Sequence, residues 1–364
     1  MEENAKKKKL NIPRLVMLAT GVLLALLVGI FALVLEAGKK SLTDQTLVNR
    51  WSDGKEFAQI SLFISPSQYV TNDEIGLYRH EIESGYKTKG MVAAFEPETG
   101  NPNLMDAYMA TTTMDLKGEY GSKTLDTFCV GGDFFLFHPV RLLSGNYFSE
   151  DDLMHDYILL DEEAAWDLFG GTDVAGKKVE WNDMELVVAG IYRRESGEIE
   201  TLAAGNSEPK VFVSYDLFKY DPAKPAITSY ELLAPNPIKN YATDVVNSIT
   251  VFPDDAVKTV ENSSRFSYAN YYELLKNRKG RIMRTDDIPF PYWENLARYK
   301  EGKLMYVALW QWILATVLFV LVFVNLMVFL VQHKPTKETF EKLMDKIREK
   351  RRAKKEGVIV FDEE

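Results

Sequence analysis

A single cysteine, Cys129, stands in 364 residues. No intrachain disulfide can form, and no cysteine-based zinc site. Histidine is almost as scarce: His80, His138, His155 and His333 are all there are, and no two have metal-ligand spacing. His80-Glu81 opens an H-E-x-x-H pattern, but Ser84 occupies the second ligand position. The histidines therefore read as isolated surface residues, and Cys129, beside Phe128 in an apolar stretch, as a buried inert thiol. There is no G-x-S-x-G nucleophile elbow. Gly171 to Lys178 falls one residue short of a P-loop, because Lys178 stands where the Mg²⁺-binding hydroxyl belongs. That segment follows a helical pattern and enters a strand, the reverse of the P-loop context, and so reads as a structural turn. No catalytic residue, metal or cofactor is expected. An excess of base is also missing: 43 Lys and Arg face 53 Asp and Glu, a net charge of −10. A nucleic-acid binder that neutralises phosphates is excluded on that ground. With 46 % hydrophobic residues, so is a disordered chain.

What is present is a strong segregation of charge. Residues 1–14 are basic, with Lys6, Lys7, Lys8, Lys9 and Arg14. Residues 333–364 carry ten basic against eight acidic residues, whereas 36–303 carry 28 basic against 43 acidic. Two charge-free apolar runs separate these zones. Leu15 to Leu35 would reach about 31 Å as a helix, one hydrocarbon thickness. A cleaved signal peptide is the competing reading, but the run exceeds a usual h-region and Leu33-Val34-Leu35 offers no small-x-small site. Leu304 to Gln332 would reach about 43 Å, so it must tilt or continue out of the membrane. Trp310 and Trp312 lie near one of its ends, where indoles favour the interface. Both outer flanks are basic, which by the positive-inside rule places both termini in the cytoplasm and the acidic block outside. One cysteine in a large outside domain suggests a bacterial cell membrane. The expected layout is a cytoplasmic N-terminus (1–14), a first span (15–36), an extracytoplasmic domain with stalks (37–303), a second span (304–332) and a cytoplasmic amphipathic basic tail (333–364).

Within the outside block, Phe57 to Ile64 alternates, with Ile60, Leu62 and Ile64 on one face and Gln59, Ser61 and Phe63 on the other, so a strand is expected. Thr71-Asn72-Asp73-Glu74 is a capping box, and Ile75, Tyr78 and Ile82 follow at helical spacing. A similar strand–helix unit comes much later: Ala226 to Leu233, then Ala242, Val245, Val246 and Ile249. The fold class expected is therefore α+β, with two strand–helix units interrupted by a mainly β insertion at about 95–215, forming two lobes between two transmembrane helices. In the insertion, Leu125–Val130, Phe134–Phe137, Tyr157–Leu160, Glu185–Ile191 and Val211–Val213 read as strands. Asp161 to Phe169 reads as a helix stopped by Gly170-Gly171, and Arg193 to Pro209 as a long polar loop. The acidic triplets Glu150-Asp151-Asp152 and Asp161-Glu162-Glu163 read as charges at helix N-termini. Asn262-Ser263-Ser264 fits a glycosylation sequon of the kind common by chance. From about Pro291, Trp293, Leu296, Ala297 and Lys300 keep helical spacing into the second run, so one continuous helix is expected there, with a stalk beside the first.

Four segments carry a family resemblance. Leu142-Leu143-Ser144-Gly145-Asn146-Tyr147-Phe148-Ser149-Glu150-Asp151-Asp152 resembles L-x-x-G-R-x-F-[ST]-x-x-D, with Asn146 in the usual arginine place. Tyr157-Ile158-Leu159-Leu160-Asp161 through Ala165 is similar to V-x-V-L-[GS]-x-x-x-A. Leu168-Phe169-Gly170-Gly171-Thr172-Asp173-Val174-Ala175-Gly176-Lys177-Lys178-Val179 resembles L-F-G-x-x-D-P-[VI]-G-K-x-[IV], and Val187 to Tyr192 fits V-x-V-[IV]-G-[VI]. In this order and spacing they resemble the periplasmic core domain of MacB-type ABC transporter permeases, with weaker similarity over 55–252. The resemblance implies a non-catalytic membrane subunit whose outside domain binds substrate or a partner and is coupled through stalk helices to an ATPase on another chain. The usual permease has three spans after the outside domain, whereas one is present here. The resemblance therefore implies a hetero-oligomer with an ABC ATPase subunit and a multi-span permease subunit. The alternative is a cell-surface scaffold or sensor that keeps the domain without transport.

Two polar residues of the second run, Gln311 and Asn325, are candidates for helix–helix contact in the membrane, since an amide facing lipid is costly. In the tail, Phe340, Leu343, Met344 and Ile347 form an apolar stripe among Lys and Arg. It suits either the anionic inner leaflet or an ATPase subunit, as the family's coupling helix does.

Overall fold

The computed structural model describes residues 12–51, 56–88, 104–194, 197–204, 210–250, 252–253, 255–277, 287–332, 344–345 and 347–348. From the N-terminus, α1 (Ile12–Lys40) leads through the short α2 (Leu47–Trp51) to β1 (Phe57–Ile64) and α3 (Asn72–Thr88). The middle supplies β2 (Met105–Lys117), β3 (Ser122–Gly132), α4 (Phe134–Phe137), β4 (Arg141–Gly145), β5 (Tyr157–Asp161), α5 (Glu162–Phe169), β6 (Lys178–Trp181), β7 (Met184–Arg193), α6 (Glu198–Ala204) and β8 (Val211–Ser214). Then come β9 (Ile227–Pro235), α7 (Tyr241–Ile249), β10 (Val257–Glu261), α8 (Asn262–Arg265), α9 (Tyr268–Lys276) and α10 (Tyr292–Gln332).

All ten strands join one mixed sheet in the order β10-β1-β9-β2-β3-β8-β5-β7-β4, with β6 bridging to β2 and β7. The two strand–helix units do meet. β1 and β9 run antiparallel side by side from Phe57↔Pro235 to Phe63↔Ser229, and α3 packs against α7. The inserted strands extend this sheet, because β2 pairs with β9. The capping box is formed: the Thr71 backbone N–H donates to Glu74 Oε2 at 2.8 Å. At the other cap seen in the sequence, Asp161 accepts from the Ala164 N–H at 2.5 Å, and Gly170 closes α5 in the left-handed region (φ 70°).

Three expectations are corrected. Phe134–Phe137 is one helical turn, not a strand. The β3 strand ends at Gly132 with φ +65°, and the turn that follows buries Phe134 and Phe137 while Leu136 stays exposed, a helical rather than an alternating pattern. The stretch expected as a loop after Arg193 contains α6. Glu150 caps no helix. Its carboxylate holds Arg79 (3.1 Å) and accepts the Gly132 N–H, because α3 brings the guanidinium to that loop.

The sheet buries both faces. Ile60, Leu62 and Ile64 join α3, α5 and α7 in one core, where Ile75, Ile82, Ala164, Leu168, Val245 and Val246 pack. The opposite face carries Met105, Met109, Phe128, Val130 and Phe212. It is covered by Leu47 and Val48 of α2, Phe134 and Phe137 of α4, and Trp293 of α10. Cys129 lies in the first core, and burial pushes its thiol pKa up.

Two compact units divide the chain. One is Val34–Ala308, the sheet domain with the adjoining ends of α1 and α10. There Gly38 meets α10 so closely that a Cβ would lie 2.5 Å from Leu304 Cδ2, and Lys300 Nζ reaches Ser41 Oγ at 3.3 Å. The other is Met1–Leu33 with Leu309–Glu364, in which the apolar parts of α1 and α10 lie together. Both helices are long and apolar enough to cross a membrane.

Candidate functional site

Beneath α10 the mainly apolar sheet face also carries buried polar and charged residues. β1 alternates so that Gln59 and Ser61 point to this face, and both are at or near zero exposure. Buried polar groups need partners, and two hubs supply them.

The first hub is His138, at the end of α4 and only 1 % exposed. It is not the surface histidine expected from its isolation in sequence. Its Nδ1 bonds Asp44 Oδ1 at 3.0 Å, and its Nε2 lies 3.2 Å from Glu231 Oε1, at ion-pair distance but without hydrogen-bond geometry. The ring stacks on the Trp293 indole, with centroids 3.9 Å apart. The indole N–H donates to the same Glu231 oxygen at 3.1 Å. Gln59 donates to the Asp44 carbonyl at 2.5 Å, and its own carbonyl accepts the Leu47 N–H. Burial would lower the imidazole pKa, but Glu231 and Asp44 outweigh it and hold it at about 9. A histidine with its folded pKa raised above its unfolded value stabilises fully below the unfolded value, and loses that contribution as pH rises through the folded one. Stability of the domain is therefore expected to fall by about 3 kcal/mol between roughly pH 6.5 and pH 9. Melting followed by near-UV circular dichroism across that range, with His138→Leu as control, checks it. The drop should vanish in the variant.

The second hub is Arg265, at the end of α8. Nη1 and Nη2 donate to Glu294 at 2.6 and 3.0 Å, and Nε donates to Glu301 at 3.3 Å. Both carboxylates belong to α10, seven residues apart on one face of the helix. All three charges are about 4 % exposed or less. Arg298 adds a second cation on Glu294 at 2.7 Å, and Asn270 donates to Glu301 at 2.7 Å. Asn262 accepts from Arg265 and donates to Ser61 Oγ at 2.8 Å, so the sequon asparagine is buried in a structural role.

Residues singled out in the sequence lie elsewhere. Gln311 donates to the Val28 carbonyl of α1 at 3.2 Å, whereas Asn325 donates to Leu321 within its own helix at 2.8 Å. Of the tail stripe, Met344 and Ile347 are exposed, while Phe340 and Leu343 lie outside the described residues, as does His333. His80 is exposed, and His155 Nε2 lies 3.7 Å from Asp216. Lys177 and Lys178 of the P-loop-like turn pair with Glu119 (2.9 Å) and Glu185 (2.5 Å), so neither cradles an anion. The Asp161 triplet is also paired, Glu162 with Arg193 and Glu163 with Lys210. Among the described residues no group of three His, Cys, Asp or Glu could hold a metal.

A mixed sheet, one face of which seats the root of a long apolar helix through buried ion pairs, and a chain that enters on a second such helix define a mixed α/β domain flanked by two candidate membrane helices. The chain belongs to the MacB-like periplasmic core domain family, whose description matches residues 19–262. Among solved structures it is similar to the periplasmic region of MacB from Actinobacillus actinomycetemcomitans, at 14 % identity over 62 % of this chain and 94 % of that one, with TM-score 0.38. It is similar also to the extracellular domain of the ABC-type transporter YknZ from Gram-positive bacteria, at 13 % identity over 56 % and 99 %, with TM-score 0.36. No curated protein matches the chain.

Proposed function

We propose that this chain is a non-catalytic membrane subunit of a MacB-like ABC transport system. Its extracytoplasmic domain binds substrate or a partner protein. Its stalks couple that domain to an ATPase on another chain, and a multi-span permease subunit completes the membrane part. Both termini are cytoplasmic in this reading, with the segment boundaries inferred above, and the tail stripe at Phe340, Leu343, Met344 and Ile347 faces the ATPase or the inner leaflet. Gln311 and Asn325 face neighbouring helices within the assembly.

The observation that supports the reading is the seating of Trp293, Glu294 and Glu301, in the first turns of α10, on His138, Glu231 and Arg265. A helix held by packed aromatics and buried ion pairs moves with the sheet rather than sliding over it. Extraction of the chain from its native membrane in mild detergent tests the proposal. Stoichiometric recovery with an ABC ATPase and a multi-span permease is expected, and charge substitutions at Phe340, Leu343 and Ile347 should release the ATPase. Recovery alone, or only with cell-surface proteins, overturns the ATP-coupled reading in favour of a scaffold or sensor.

A further inference from the structure

We propose that the cavity between the sheet and the lead-in to α10 binds a small aralkyl ammonium ion, with the Asp126 carboxylate on its ammonium and the Thr228 hydroxyl on a polar group at its far end. The inference rests neither on membrane topology nor on ATP coupling.

The cavity measures about 250 Å³. Drug-sized ligands take about 300–1,000 Å³, so a smaller molecule fits here. Its floor is Met109 and Thr111 of β2, Asp126 and Phe128 of β3, and Thr228 of β9. Its roof is Pro289-Phe290-Pro291. Both prolines fix φ, so the roof is preformed.

Thr228 owes its place to a β-bulge. Along β2 and β9 the register steps from Met109↔Ser229 to Ala110↔Ile227, which leaves Thr228 without an opposite residue. Ile227 and Tyr230 both lie in the first core, three residues apart. A regular strand would put them on opposite faces, so the bulge turns Thr228 and Ser229 together toward the α10 side of the sheet. Thr228 is only 4 % exposed, yet its hydroxyl has no hydrogen-bond partner among the described residues. The Ser229 hydroxyl beside it is buried and equally unpartnered. Buried hydroxyls are normally paired, so a bulge that brings one to a cavity without a partner marks a place for a ligand's polar atom.

The other end is anionic. Asp126 alternates with Phe128 and Val130 of the second core and so shares their face. It stands opposite Thr113, about 12 Å along β2 from the bulge, so the slot suits an elongated molecule. Asp126 is exposed, and its carboxylate forms no ion pair among the described residues. The neighbouring cations are engaged elsewhere. Lys210, whose backbone N–H bonds the Asp126 carbonyl, sends its ammonium to Glu163 at 2.9 Å. Arg298, with its Cζ 3.6 Å from the Phe290 ring centroid, pairs with Glu294 at 2.7 Å. No described lining residue is basic, and the polar ones besides Asp126 are threonines. That lining disfavours an anion. An ammonium finds a carboxylate and hydroxyl acceptors, and Phe128, Met109 and Phe290 between the two ends receive an aromatic body.

The test uses the full chain in detergent with isotope-labelled methionine methyls. It reads the Met109 methyl resonance, assigned through Met109→Leu, beside that of the exposed Met184 on β7. The probes are tyramine, para-ethylphenol, which lacks the ammonium, and phenethylamine, which lacks the hydroxyl. Tyramine is expected to shift the Met109 resonance saturably, with a Kd of about 0.1–1 mM, and to leave Met184 in place. Para-ethylphenol should bind about tenfold more weakly than tyramine, and phenethylamine about fivefold. Asp126→Asn should weaken tyramine about tenfold and leave para-ethylphenol unchanged. Thr228→Val should bring tyramine to the level of phenethylamine, whereas Thr228→Ser, which keeps the hydroxyl, should bind like the parent. Absence of a saturable Met109 shift at about 10 mM tyramine overturns the proposal. Equal binding of the three probes, which would mean apolar partition only, overturns it too. So does an Asp126→Asn variant that binds tyramine as the parent does.

Discussion

Arg265→Met is expected to destabilise the sheet domain by about 3–5 kcal/mol, because it strands two carboxylates in the interior. Glu294 and Glu301 are 1 % and 2 % exposed, and Arg265 is the cation they share. Arg298 would remain on Glu294 through its 2.7 Å bond, and Asn270 on Glu301. For a domain of this size the loss corresponds to a fall of roughly 10 °C in melting temperature. Adding Glu294→Gln and Glu301→Gln to Arg265→Met should recover most of the fall, since removing every charge of a buried network is often close to neutral. A single variant that melts like the parent would mean the network is hydrated in solution. A triple variant no better than the single one would mean that shape, not charge, is what Arg265 supplies.

Trp293→Ala is expected to cost a similar amount, about 3–5 kcal/mol, by a different route. The indole is 2 % exposed and packs edge-on against Phe128 (6.0 Å) and Phe134 (5.8 Å), with His138 stacked on its face. Alanine leaves a cavity and removes the N–H that Glu231 accepts. Trp293→Phe separates the two contributions: it keeps most of the volume and loses the donor, so a cost of about 1–2 kcal/mol is expected. In the alanine variant the first turn of α10 should also lose amide hydrogen-exchange protection, measured by mass spectrometry. Unchanged protection there would show that the ion pairs seat the helix without the indole.

The parts of the fold readable in sequence are those with a local signature. Ile60, Leu62 and Ile64 alternate as a half-buried strand does, and the Thr71–Glu74 box marks the next helix. A strand-like run at Ala226 to Leu233, followed by helical spacing at Ala242, Val245, Val246 and Ile249, marks the matching unit in the other half of the chain. The long helix was legible from Trp293 and Leu296 because an apolar stripe at helical spacing runs without a break into the apolar run. The polar foot of the stalk was not legible. Asp44, His138 and Glu231 are spread over nearly two hundred residues, and no spacing rule connects them. The one available trace was Gln59 and Ser61 on the polar side of β1, which reads as solvent exposure when the covering helix comes from the far end of the chain. Phe134–Phe137 misled because four apolar residues fit a strand or one helical turn equally well, and the chain reversal at Gly132 chose the turn.

The place of β1 in the sheet also sets the order in which the domain can be made. Its two neighbours are β9 and β10, both encoded far downstream. From Ile64 to Ile227 about 160 residues must be synthesised, which takes roughly 8–30 s at common elongation rates. Throughout that interval seven of the eight residues of β1, all but Phe57, lack the burial they have in the finished fold. The strand emerges just behind α1, with both edges open. Synthesis of this chain therefore passes through a stage in which β1 waits for partner strands not yet translated.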